Sequence, residues 1–111
     1  MQIVHEREGT SLVVYLTDEL DQHSARKVIE ALDRLAVLYG EESIVLDLGR
    51  LTFMDSSGLA VAINLHRTLE QTGRHLTIRN TPPQAMRVFR AAHLEKRITF
   101  EQAEEKASCK H

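Results

Sequence analysis

Short apolar runs of strand length alternate along this chain with segments whose apolar residues recur every three or four positions. That alternation restricts the fold more than any single motif does. Leu12-Val13-Val14-Tyr15-Leu16, between Gly9-Thr10-Ser11 and an acidic turn at Asp18-Glu19, reads as a buried strand. Ile3 to Arg7 lies close enough to pair with it as the other arm of a hairpin. Ala25, Val28, Ile29, Leu32, Leu35, Ala36 and Tyr39 then follow the helical period, with Asp21 or Ser24 as N-cap and Gly40 as stop. Ser43 to Leu48 is a second apolar run, and its lack of alternation predicts burial on both faces. Gly49 to Ser56 reads as a loop, and a helix runs from Ser57 until Gly73. Arg74 to Arg79 is a further strand. Thr81 as N-cap and Pro82 in the first turn start a helix whose buried face is Ala85, Val88, Phe89 and Ala92. Arg97 to Phe100 is a final strand, followed by a polar helical tail from Glu101 to about Ala107. The order ββαβαβαβα predicts an α/β fold: a mixed, mostly parallel sheet of about five strands, covered by about four helices.

A chain of 111 residues has room for one such core, so a single domain over residues 1–111 is expected. The net charge of -2 argues against a general nucleic-acid binder, which shows a basic excess. Residues 1–55 hold five basic and eleven acidic side chains and residues 56–111 nine and five, which predicts a polarised surface. Met1 to Thr10 has no apolar core of a signal peptide, and Leu59 to Leu65 is too short to span a bilayer. A lone cysteine, Cys109, cannot form an internal disulfide. A cytoplasmic protein without membrane insertion is the expectation.

Catalytic motifs fail on their own grammar. Ser57 has the strand-to-helix placement of a nucleophile elbow, but Asp55 and Leu59 occupy the positions that need small residues. No Asp follows Asp55, so the chain order Ser, Asp, His is unavailable, although Glu could substitute. The six histidines, His5, His23, His66, His75, His93 and His111, are scattered without metal-ligand spacing. Neither glycine-rich phosphate loop is present. Arg87, Arg90 and Arg97 read as a solvated face. What remains is the turn Asp55-Ser56-Ser57-Gly58. It reads either as a plain helix cap or as a phosphorylatable serine where free helix amides stabilise an added anion.

Leu51-Thr52-Phe53-Met54-Asp55-Ser56-Ser57-Gly58-Leu59, with Leu16-Thr17-Asp18-Glu19-Leu20-Asp21 upstream and Ile44 to Leu48 before it, resembles the anti-sigma factor antagonist family of STAS domains. Weaker similarity continues from Pro83 to Phe100, so the resemblance covers nearly the whole chain. It implies that Ser57 is the phosphorylated serine, with Ser56 a secondary candidate, and that Asp21 lies beside it on the partner-binding surface. Asp55, Ser56, Gly58 and Asp18 are expected to complete that surface. Two positions depart from the family pattern: Asp18 and His93 stand where relatives usually carry glycine.

The resemblance further implies a non-enzymatic switch without cofactor or metal. The unmodified form binds an anti-sigma factor, a serine kinase of the GHKL type, and frees the sigma factor. Phosphorylation of Ser57 ends that binding and a serine phosphatase restores it. Two alternatives remain open from the residues: a STAS module outside sigma-factor control, in a stress-complex scaffold or a transporter regulator, and a small anion- or nucleotide-binding module. Phe53 and Met54 fit partner contact and internal packing equally well.

Overall fold

The computed structural model describes residues 1–102. The expected tail helix from residue 103 onward, Cys109 and His111 lie outside the described residues. In chain order the elements are β1 (Ile3–Glu8), β2 (Ser11–Leu20), α1 (Gln22–Leu38), β3 (Ser43–Met54), α2 (Ser57–Glu70), β4 (Leu76–Arg79), α3 (Pro83–Ala91), a 3₁₀ turn (Leu94–Lys96) and β5 (Thr99–Glu101). The strands lie side by side in sequence order, β1 antiparallel to β2 and the rest parallel. Glu101, expected to open the tail helix, belongs to β5.

Strand order that never reverses has a geometric consequence. Crossovers of one hand, all stepping in the same direction, place every helix on the same face of the sheet. The core follows suit: Leu12, Val14 and Leu16 of β2, Ile44, Leu46 and Leu48 of β3, and Leu76 and Ile78 of β4 pack in one cluster with Val28, Leu32, Val61, Leu65 and Phe89 of the helices. Ser43 to Leu48 has no exposed residue, as its lack of alternation predicts, but helices cover only one of its two faces. Asp47 projects to the helix-free face. It is nonetheless buried, because its carboxylate accepts hydrogen bonds from Arg79 Nε (3.0 Å), Asn80 Nδ2 (3.1 Å) and Gly49 N–H (2.9 Å). On the same face Tyr15 donates to Glu6 at 2.9 Å, and the Arg50 guanidinium lies 5.7 Å above its ring.

β2 and β3 also run further than their apolar runs suggest. Beyond the Tyr15–Asp47 pair, β3 carries an extra residue at each of two register shifts, and pairing continues from Thr17–Arg50 to Leu20–Met54. The acidic turn at Asp18-Glu19 and the first part of the loop at Gly49 to Ser56 are thus strand. Bulges let a strand keep pairing while its side chains change face, which hides the alternation from a sequence reading. β4 pairs only with Ile44 to Asp47, so the far end of β3 has no strand on that side. There Gln84 of α3 replaces it. Its Oε1 accepts from Met54 N–H at 2.9 Å and its Nε2 donates to Met54 O at 2.8 Å.

Three helix ends are built differently from expectation. α1 ends where expected, with Tyr39 as C-cap and Gly40 next, but Gly40 has no left-handed φ, and the Arg74 Nη1 group donates to the carbonyls of Ala36 (2.9 Å) and Tyr39 (3.1 Å). A guanidinium from a distant element does what a C-terminal glycine does elsewhere. The N-cap of α3 is Pro82, not Thr81, with ψ 154° and Pro83 as first helical residue. A residue before proline is held extended and a proline costs no hydrogen bond at the first helical position. Ala92, expected on the buried face of α3, is exposed because the helix has already ended at Ala91.

Asp18 (φ 67°) and His93 (φ 60°) sit in the left-handed region, which favours glycine. At both positions the resemblance implies glycine, and the conformation they adopt is one that glycine takes without strain. Replacing Asp18 or His93 by Gly is expected to raise stability by up to about 1 kcal/mol each. Release of backbone strain would be offset in part by a freer unfolded chain. Urea unfolding checks this, and a loss of stability in both variants would contradict it. Gln84→Ala, which strips both hydrogen bonds from the Met54 peptide, is expected to cost about 1–3 kcal/mol in the same measurement.

Candidate functional site

Two segments distant in sequence meet where β2 and β3 end. Asp55 N–H donates to Leu20 O at 3.2 Å, the last rung between them, so α1 and α2 begin side by side. Asp21 is the N-cap of α1. Its Oδ1 accepts from His23 N–H (3.0 Å) and Ser24 N–H (3.1 Å), while Ser24 Oγ accepts from Asp21 N–H (3.1 Å), closing a capping box. The Ser24 amide above all, with that of His23, holds the Asp21 carboxyl below its ordinary value of 3.8, against desolvation that opposes the shift. Asp21 is therefore a fixed anion at neutral pH.

The start of α2 is built differently. Ser56 is its N-cap with helical φ and ψ, and its side chain makes no capping bond. Asp55, one residue earlier, supplies the acceptor instead: its Oδ1 takes Ser57 N–H at 2.8 Å. Gly58 N–H donates to Asp55 O and Leu59 N–H to Ser56 O, both at 3.0 Å. The amides of Ser57, Gly58 and Leu59 thus all have acceptors. The expectation that free amides at this helix start would receive an anion is corrected, because the turn has used them internally. Gly58 is buried, and a Cβ there would overlap the Met54 side chain, so close packing requires glycine.

Of the residues singled out in the sequence, Asp21, Asp55, Ser56, Ser57 and Gly58 come together at this end of the sheet. Asp18 stands further back on β2, paired with Leu51, its exposed carboxylate 3.3 Å from the Met1 amino group. Phe53 and Met54 separate cleanly: Phe53 is 43% exposed and Met54 fully buried. Adjacent strand residues point to opposite faces, so only Phe53 is available to a partner.

The two serines open onto different grooves. Ser57, half-buried, lines a cleft of about 430 Å³ between α1 and α2 that also holds Arg26. Ser56, exposed, lines an apolar groove of about 490 Å³ toward α3 with Leu59, Val88 and Arg87. Arg26, Arg87 and Gln84 were missed by sequence reasoning as site residues. Their helical periodicity was legible, but nothing in it says which neighbour they face. Among the described residues no group of three or more His, Cys, Asp or Glu side chains could hold a metal ion. Nor is any helix among them long and apolar enough to cross a membrane.

Comparison with known proteins agrees with this geometry. The STAS domain family model matches residues 2–107. An anti-sigma F factor antagonist of Paenibacillus polymyxa is 34% identical over 89 residues, 80% of this chain and 76% of the relative. An anti-sigma-B factor antagonist of Listeria monocytogenes is 30% identical over 103 residues, 91% of this chain and 88% of the relative. Among solved structures, the anti-sigma factor antagonist SpoIIAA in its unphosphorylated form superimposes with a TM-score of 0.71 at 26% identity, covering 98% of this chain and 96% of that one. Its phosphorylated form, from Bacillus, gives 0.69 at 25% identity over 99% and 100%. The chain belongs to the STAS domain family, and within it to the anti-sigma factor antagonists.

Proposed function

We infer that this protein controls a sigma factor by binding the anti-sigma factor that holds it, and that a phosphate on Ser57 ends the binding. The observation that carries this reading is the junction at the ends of β2 and β3, where a fixed anion (Asp21) and a hydroxyl-bearing turn (Ser56-Ser57) begin two helices side by side. Similar antagonists of the sigma F and sigma B systems, and a relative solved in both phosphorylation states, support it. In this reading the chain has no reaction of its own. It is the substrate of its partner, a serine kinase of the GHKL type that moves the terminal phosphoryl group of ATP onto Ser57 Oγ. A serine phosphatase hydrolyses it again, and both act in the cytoplasm.

Charge explains why so small a modification suffices. A phosphoserine adds about -1.5 to -2 at pH 7. It would stand at the junction with Asp21 and Asp55. Together these charges would repel a partner surface that is acidic or lacks cations to compensate them, and like charges juxtaposed across an interface cost several kcal/mol, enough to lower affinity by orders of magnitude. No refolding is needed, since the turn's amides are already satisfied within the chain. Asp18, Asp55, Ser56 and Phe53 would shape the contact, and Gly58 would serve it from beneath by letting α2 sit against Met54.

With the purified anti-sigma kinase of the same organism and ATP, wild type is expected to take up one phosphate and Ser57→Ala none. Ser57→Asp is expected to bind the kinase at least about tenfold more weakly. Phosphate mapped by mass spectrometry to Ser56 alone would overturn the assignment. Capture of transporter ATPase subunits from native extract, with no anti-sigma factor, would favour a module outside sigma-factor control. Asn caps a helix about as well as Asp. Asp21→Asn is therefore expected to keep the thermal midpoint within a degree or two of wild type while weakening kinase binding. Asp21→Ala should lower both. Unchanged affinity in Asp21→Asn would remove Asp21 from the interface.

A further inference from the structure

We propose that Arg26 is the residue that holds the phosphate on Ser57, making α1 the clamp of the phosphorylated state. The inference rests on Ser57 being the modified residue. A phosphate at a helix start usually finds free backbone N–H groups. Here Asp55 Oδ1, Asp55 O and Ser56 O already occupy the amides of Ser57, Gly58 and Leu59. Ser56 N–H alone at this helix start has no acceptor, so the group must find its further donors among side chains.

The cleft into which Ser57 opens supplies one cation. Arg26 lines it from α1, above a floor that includes Ala25 and Ala60. Arg26 is exposed and makes no ion pair with a carboxylate among the described residues, so its guanidinium is available. Its planar fork suits bidentate recognition of a phosphate. The other charges around the cleft are negative: Asp21 at the start of α1, Glu30 on the cleft wall and Asp55 in the turn. Arg87 lies in the other groove, with Ser56. Without Arg26 the phosphate would face carboxylates alone. With it, the phosphate is drawn toward α1 and covers the cleft, so an incoming partner meets an ordered anion.

The test uses full-length protein with phosphoserine placed at position 57 by genetic encoding, so that it does not depend on any kinase. Phosphorus NMR follows the second ionisation of the phosphate, ordinarily near about 6. Arg26→Gln is expected to raise that pKa by about half a unit, the size of one cation's contact in a water-exposed cleft. Arg26→Lys should recover part of the shift. Lys27→Gln, the same charge change one residue along α1, and Arg87→Gln should leave the value unchanged. An unaltered pKa in Arg26→Gln, or equal shifts in Arg26→Gln and Lys27→Gln, would overturn the proposal. That failure is separate from failure of the switch itself, which appears as kinase labelling that survives Ser57→Ala.

Discussion

Parallel pairing of β2 with β3, carried through two bulges to a last rung between Asp55 N–H and Leu20 O, is the contact on which the rest of the site depends. Were the strands to separate where their apolar runs end, at Leu16 and Leu48, Asp21 and Ser57 would sit on unconnected loops. Continued pairing puts Asp21 directly after β2 and Ser57 three residues after the end of β3, so each stands at a helix start on a common platform. The bulges have their own cost, visible at Asp18, which takes a left-handed conformation between two register shifts. Gln84 secures the other side of β3, where β4 is too short to reach.

The two helix starts use the same chemistry to different ends. At α1, a side-chain capping box holds the Asp21 carboxylate in place and lowers its pKa. At α2, Asp55 is spent on the turn's own amide, leaving both serine hydroxyls without a capping role. A hydroxyl that carries no structural hydrogen bond can be modified without dismantling the fold. The same arrangement occupies the amides of Ser57, Gly58 and Leu59 within the turn.

Much of the architecture was legible in the residues. Short apolar runs and the period-3.6 pattern placed all five strands and the three described helices, and the string from Phe53 to Leu59 carries the family resemblance. Three things were not legible. Strand ends were hidden because β2 and β3 change face at the bulges, so Thr17 to Glu19 and Arg50 to Phe53 look like loop. The capping of α1 was hidden because Arg74, which supplies it, lies more than thirty residues away. That Ser57 and Arg26 line one cleft and Ser56 and Arg87 another was hidden because helix packing decides which face meets which neighbour.

The residues alone, then, set out the elements, a mostly parallel sheet, and the serine and aspartates proposed as the site. Local propensity and side-chain identity are enough for that. Only the tertiary structure decided that all helices share one face, that Asp47 is a buried polar anchor on the other, and that Gly58 answers to Met54. It also decided that Phe53 and not Met54 reaches the surface, and that the amides at Ser57 are already taken. Those outcomes depend on which groups come within a few ångströms of one another after the chain has folded, and distance across the fold is not written in spacing along the chain.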